Sequence, residues 1–327
     1  MGVKRLFCTV VLISLLVSCA QPAATPTPTP APTPTTAPLQ FKAPHGIFVD
    51  SRARIYVADR GNNRIVRLDD MSGSGWTAYG SWGSEAGRFK YPLDVFVDSA
   101  GKIYVADAGN NRIVRMDDMR GSNWTTLGSQ WATAGGSGTG RGQFNFPTSV
   151  CVDSAGKIYV ADFANSRIVR MDDMTGSTWT VYGSYGLQAG QFDIVPSVWV
   201  DSAGRIYATG GRNCRIARID DMHGHNWIAY GSPGGGSGEF TYPWDVCVDS
   251  AGRIYVADGY TRIVRIDDMN GNGWTAYGTT GNGLASSWPV VAKWRKPPRA
   301  QRVSLWTRRA GSTWPTPTTS ASCAWTT

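Results

Sequence analysis

One stretch of this chain is written five times, and that repetition limits the possible folds more than any other feature. Its clearest copy runs from Asp98 to Met119, D-S-A-G-K-I-Y-V-A-D-A-G-N-N-R-I-V-R-M-D-D-M. Further copies begin at Asp50, Asp153, Asp201 and Asp249, so successive leading Asp residues lie 48, 55, 48 and 48 positions apart. A fixed period of this size marks a repeat architecture, in which each unit buries its core against its neighbours.

Each unit reads as four short strands. In the second unit these are Val95–Val97 (a), Lys102–Ala106 (b), Arg112–Met116 (c) and Trp124–Leu127 (d). Asp98–Gly101 is a turn, with Asp to cap it and Gly free to take a positive φ. Asp107–Asn111 and Asp117–Asn123 are the next two turns. β-branched and aromatic residues fill the strands, and no segment keeps helical spacing over ten residues. The prediction is an all-β fold, a β-propeller of four-stranded blades.

The pattern V-D-S-A-G-x-I-Y-V-A-D-x-x-N-x-R-I-V-R resembles the NHL repeat, and the resemblance covers residues 39–283. It implies a propeller, commonly of six blades. It implies no activity, because function resides in sites grafted onto a fold.

Outside the repeats the chain changes character. Residues 1–18 read as an export signal, with Lys4 and Arg5 ahead of the apolar run Leu6–Val17, which is too short to span a membrane. Leu16-Val17-Ser18-Cys19 resembles a bacterial lipobox, which implies cleavage before Cys19 and acylation of its sulfur. Ala20 follows, which in a two-membrane bacterium points to the outer membrane. Residues 19–38 are Pro/Thr/Ala-rich and read as an extended tether. The blades then occupy 41–88, 89–143, 144–191, 192–239 and 240–283. The expected location is extracytoplasmic, on a membrane through the lipid anchor.

Residues 284–327 abandon the pattern for an irregular basic stretch. Written in permitted codons, Trp306–Thr327 reads two nucleotides on as D-S-A-G-R-I-Y-V-A-D-T-Y-N-K-R-I-L-R-V-D-D. We read the tail as a sixth blade scrambled by a frameshift between about Leu284 and Arg299. The formal net charge of +8 then loses its meaning, because seven Lys/Arg lie in this tail and two in the signal. Without them the charge is −1, which argues against nucleic acid as a partner.

The recurring polar residues read as structure. Asp59, Asp107, Asp162 and Asp258 each end strand b, and the recurring arginines Arg64, Arg112, Arg167, Arg215 and Arg262 stand where an Arg pairs with such an Asp. Blade four has Thr209 in place of the Asp, and blade five shortens the turn before Arg262. The Asp-Asp pairs before each hairpin (Asp117-Asp118 and its equivalents) offer oxygens to Ca²⁺ but lack the alternating ligands of a dedicated site. Trp76, Trp124, Trp179, Trp227 and Trp274 read as packing between blades. His223 and His225 share one hairpin with no third metal ligand beside them. Cys151, Cys214 and Cys247 read as buried free thiols. No catalytic motif occurs, and no metal or catalytic residue is assigned.

What varies between blades is the start of strand a, which lines a propeller's axis. His45, Asp94, Ser149, Ser197, Trp244 and Asp245 converge there and are the expected ligand site. The expected function is a monomeric binding or interaction scaffold for a protein, glycan or small molecule. The alternative is a lyase or hydrolase with a metal ion in the channel, for which His45, Asp94 and Asp245 are the nameable donors.

Overall fold

The computed structural model describes residues 40–128, 138–259 and 261–278, and the backbone of 291–294. The signal, the tether with Cys19, residues 129–137 of the loop before blade three and most of the basic tail lie outside the described residues. Among the described residues no helix is long and apolar enough to cross a membrane.

Each I-Y-V-A-D segment alternates its side chains between two faces, and in blade two all five of these residues are buried. A strand buried on both faces needs a neighbour on each side. The blades supply them by stacking face to face as five four-stranded antiparallel sheets in a ring. Strand a is innermost: Gly46–Val49, Pro92–Val97, Pro147–Val152, Val198–Val200 and Pro243–Val248. Strand b follows at Ile55–Asp59, Ile103–Asp107, Ile158–Asp162, Ile206–Gly210 and Ile254–Asp258. Strand c is Arg64–Leu68, Arg112–Met116, Arg167–Met171, Arg215–Ile219 and Arg262–Ile266. Strand d, at the rim, is Thr77–Tyr79, Thr125–Gly128, Trp179–Tyr182, Ile228–Tyr230 and Thr275–Gly278.

The boundaries differ slightly from the sequence reading. Strand a of blade two begins at Pro92, and Lys102 belongs to the turn because its carbonyl accepts the Asp98 N–H at 3.0 Å. The turn also shows why Gly recurs there. Gly101, Gly156, Gly204 and Gly252 have φ between 82° and 85°, whereas blade one forces Ala53 to 62°.

A difference of another kind lies in the tail, where no strand was expected. Val291–Trp294 forms one, paired in parallel with strand a of blade one, Gly46 opposite Val291. It also packs against strand a of blade five.

The Asp at the end of strand b is a strut. Asp107 is fully buried, and its Oδ2 accepts from Arg112 Nε at 2.7 Å and from Asn110 Nδ2 at 2.8 Å. Its Oδ1 accepts the Lys90 N–H at 2.7 Å. Arg112 in turn donates to the carbonyls of Ser84 and Arg88 in the preceding interblade loop. Burial pushes the carboxyls of Asp107 and Asp162 above the usual range, against the pull of their arginines. In blade four Thr209 offers no carboxylate. Arg215 there bonds only the carbonyls of Gln188 and Gln191, and burial lowers its pKa.

The recurring Trp is a junction piece, as the sequence suggested. Trp124 sits 5.2 Å from Phe89 and 6.2 Å from Tyr79 of the previous blade, with the Arg112 guanidinium 5.7 Å over its ring. The paired Asp residues shape their hairpins: Asp118 Oδ1 accepts the Arg120 N–H at 2.8 Å, and Asn123 Nδ2 donates to Asp117 Oδ2. His225 Nδ1 meets Asp221 Oδ2 at 2.6 Å across the blade-four hairpin and holds that exposed carboxyl down to about 2. Cys151, Cys214 and Cys247 are buried and form no disulfide.

Candidate functional site at the channel mouth

All six positions singled out from the sequence come to one place. His45, Asp94, Ser149, Ser197, Trp244 and Asp245 line a single opening at the end of the ring where strand a begins, with Gly46, Leu93, Thr148 and Pro196 between them. The repeat puts them there, because each follows its Phe and Pro at nearly the same distance and so enters strand a at the same height.

The opening is tight, with an internal volume of about 20 Å³, room for about one water. Its side chains reach sideways across the junctions. The His45 Nδ1–H donates to the Leu93 carbonyl at 2.8 Å, from blade one to blade two. Asp94 Oδ2 accepts the Val150 N–H at 2.9 Å, joining blades two and three, while its Oδ1 accepts the Val95 N–H. The Thr148 hydroxyl donates to the Pro196 carbonyl at 2.7 Å, from blade three to blade four. The Ser197 hydroxyl donates to the Asp245 carboxylate, from blade four to blade five. Asp94, Ser149, Ser197 and Trp244 are all buried. These residues form a belt of hydrogen bonds around the axis, and buried polar groups satisfied this way specify one assembled state.

The sequence marked the mouth by its variability, and variability alone does not separate a recognition surface from a set of blade-specific fasteners. It missed two other features. One is a set of exposed aromatic side chains on two interblade loops at the same end, those between blades one and two and between blades three and four. Trp82 is 61%, Tyr91 43% and Tyr185 74% exposed, and Leu187 lies beside Tyr185. The Lys90 ammonium stands 5.9 Å over the Trp82 ring, and the Arg60 guanidinium 5.6 Å over Tyr91. The signal was present, since the repeat requires no aromatic residue at 82 or 185.

The other is a polar hollow of about 250 Å³ at the opposite end, between the a–b turns of blades one and two. Arg52, Arg54, Arg67, Asp50, Asp98 and Asp117 line it. Arg52 stands where the other four blades have Ala, so this hollow is not repeated in sequence. Arg54 is occupied by Asp50, 2.7 Å away. Beneath comparable turns, burial and the adjacent Asp98 push the Tyr104 hydroxyl up to about 12.

As for metal chemistry, no three His, Cys, Asp or Glu side chains among the described residues are grouped to hold an ion. His45, Asp94 and Asp245 share the mouth, but each faces a blade neighbour.

Comparison with known proteins agrees with this architecture. The NHL repeat family matches residues 41–68, 89–116, 144–171 and 240–262. The chain is an NHL-repeat β-propeller protein. Blade four, with Thr209 for Asp, is the blade the match passes over. Among solved structures, a streptogramin B lyase is similar at 16% identity and a TM-score of 0.53, over 73% of this chain and 70% of that one. A nidogen/laminin complex is similar at 15% identity and 0.55, over 72% and 80%. A gluconolactonase from Xanthomonas campestris is similar at 16% and 0.53, over 74% and 77%. At such identities the likeness concerns the fold alone. No curated protein sequence matches the chain.

Proposed function

We propose that this chain is an extracytoplasmic NHL propeller, tethered to a bacterial membrane through Cys19, that acts as a binding scaffold for another protein and performs no catalysis. The observation that supports this is the contrast at one end of the ring. The mouth is too small for a substrate, while Trp82, Tyr91, Tyr185 and Leu187 stand exposed on the loops around it. Large aromatic side chains that are wet on one side and packed on the other are what protein interfaces use as anchors. The six mouth residues then serve as the floor of a surface across which a partner lies.

Two measurements test the reading. A photo-crosslinking residue at position 185 of the exported full-length chain should trap one discrete protein, and the same probe at Ser99, on the other end, should not. Cys19→Ala should release the chain from the membrane fraction and remove its fatty-acid label. Sustained turnover of a lactone or ester substrate, lost in Asp245→Asn, would overturn the scaffold reading in favour of the hydrolase or lyase.

A further inference from the structure

The a–b turns carry nearly the same sequence, yet the polar hollow between blades one and two departs from the repeat in three places at once. The first is Arg52, where the other turns have Ala100, Ala155, Ala203 and Ala251. It is exposed, and no carboxylate among the described residues pairs with it. The second is Asp98. Its counterparts Asp50, Asp201 and Asp249 are each held at 2.7 Å by an arginine four residues on. Blade two has Lys102 in that place, and Asp98 forms no ion pair with any described residue; its Oδ2 meets only the Tyr104 hydroxyl, at 3.3 Å. The third is Asp117. Asp69, Asp172, Asp220 and Asp267 each lie 3.4–3.9 Å from the strand-c arginine of their own blade. No such pair joins Arg115 to Asp117. Asn123 Nδ2 donates to Asp117 Oδ2 at 2.8 Å, but Oδ1 is buried and accepts from no described donor.

We infer that this hollow binds a small zwitterion with a primary ammonium group and a carboxylate, that is, a free amino acid. The three departures share one cavity of about 250 Å³, and the next three junctions close without them. One wall carries the uncommitted Arg52, whose planar fork matches a carboxylate, with Arg54 and Arg67 adding positive charge. The other wall carries two carboxylates that lack a cation, Asp98 and Asp117. A simple anion would meet Arg52 but lie against both acids. A metal ion finds no group of three ligands among the described residues. A quaternary ammonium has no N–H for the buried Asp117 Oδ1, and an unmet buried acceptor is costly. A primary ammonium has three. The volume is at the small end for ligand pockets, which suits one amino acid better than a peptide. The hollow faces away from the channel mouth, so the inference does not depend on the partner proposed there.

The test is a titration of the full chain with each of the standard protein amino acids, followed by calorimetry. At least one should bind saturably at one site per chain. Arg52→Ala and Lys102→Arg install residues that other blades carry at those positions, so both variants should fold, and their unfolding midpoints check this. Arg52→Ala removes the carboxylate's fork, and Lys102→Arg supplies Asp98 with the arginine its counterparts have. Each should weaken binding about tenfold or more, the worth of one charge-assisted hydrogen bond. The N-acetyl form of the bound amino acid, which lacks the ammonium, should bind at least about tenfold more weakly for the same reason. No saturable binding by any amino acid would overturn the inference. So would affinity that is unchanged in either variant or by N-acetylation, which would place recognition elsewhere.

Discussion

The junction between blades two and three and the seam between blades five and one are built from the same words with different outcomes. At the closed junction Ile113 and Phe144 are sealed from water. At the seam their counterparts Ile263 and Phe41 are half-buried, and Tyr277 is largely in solvent. The difference lies outside either blade's own sequence. A blade supplies faces, and the neighbour decides whether they become core. Stability in such a ring belongs to interfaces more than to units.

Substitutions should expose that contrast. The largest effect is expected for Phe144→Ala, which empties a sealed site and should cost about 3–5 kcal/mol in chemical denaturation. Phe41→Ala should cost less than half as much, and equal costs would break the comparison. The struts should follow the same order. Asp162→Ala leaves Arg167 buried without its carboxylate, which should cost about 3–5 kcal/mol. Asp59→Ala should cost less, because the Arg64 side chain is 18% exposed against 8% for Arg167 and water can replace its partner.

A smaller effect should ignore the junctions altogether. Ala53→Gly should stabilise and Gly156→Ala destabilise, each by about 1 kcal/mol. Both act through a left-handed backbone, and a Cβ at Gly156 would meet nothing within 4 Å. The smallest effect is in pH dependence. The folded state holds protons on Asp107 and Asp162 more tightly than the unfolded chain does. Their contribution is therefore fully present below about pH 4, the ordinary carboxylate value, and is lost as pH rises through the raised folded value. Asp162→Asn should flatten that part of the urea-midpoint profile.

The fold was legible in the sequence because a period of two inside a period of 48 leaves few alternatives. The Asp–Arg struts, present in four of the five blades, and the hairpin carboxylates and junction Trp were legible for the same reason, since recurrence from blade to blade points to a shared structural task. The six residues at the start of strand a do share one opening, but its chemistry was not legible. Whether Asp94 faces a ligand or the amide of Val150 depends on how far apart two blades stand, and no local pattern encodes that distance. Trp82 and Tyr185 escaped notice because a repeat directs attention to what recurs. The strand at Val291–Trp294 was unreadable because its partner lies at the other end of the propeller.

That parallel pairing has a consequence for assembly. Gly46–Val49 and Val291–Trp294 bracket nearly the entire ring, so the first inner strand, already paired with strand b of its own blade, gains its second partner only after every later blade is in place. Until then its hydrogen-bonding edge is a template open to other chains. A contact between such remote segments forms slowly, because the intervening chain must be ordered before its ends can meet. Ring closure is thus the step at which this protein is most exposed to aggregation, and the last few residues to arrive set how long that exposure lasts.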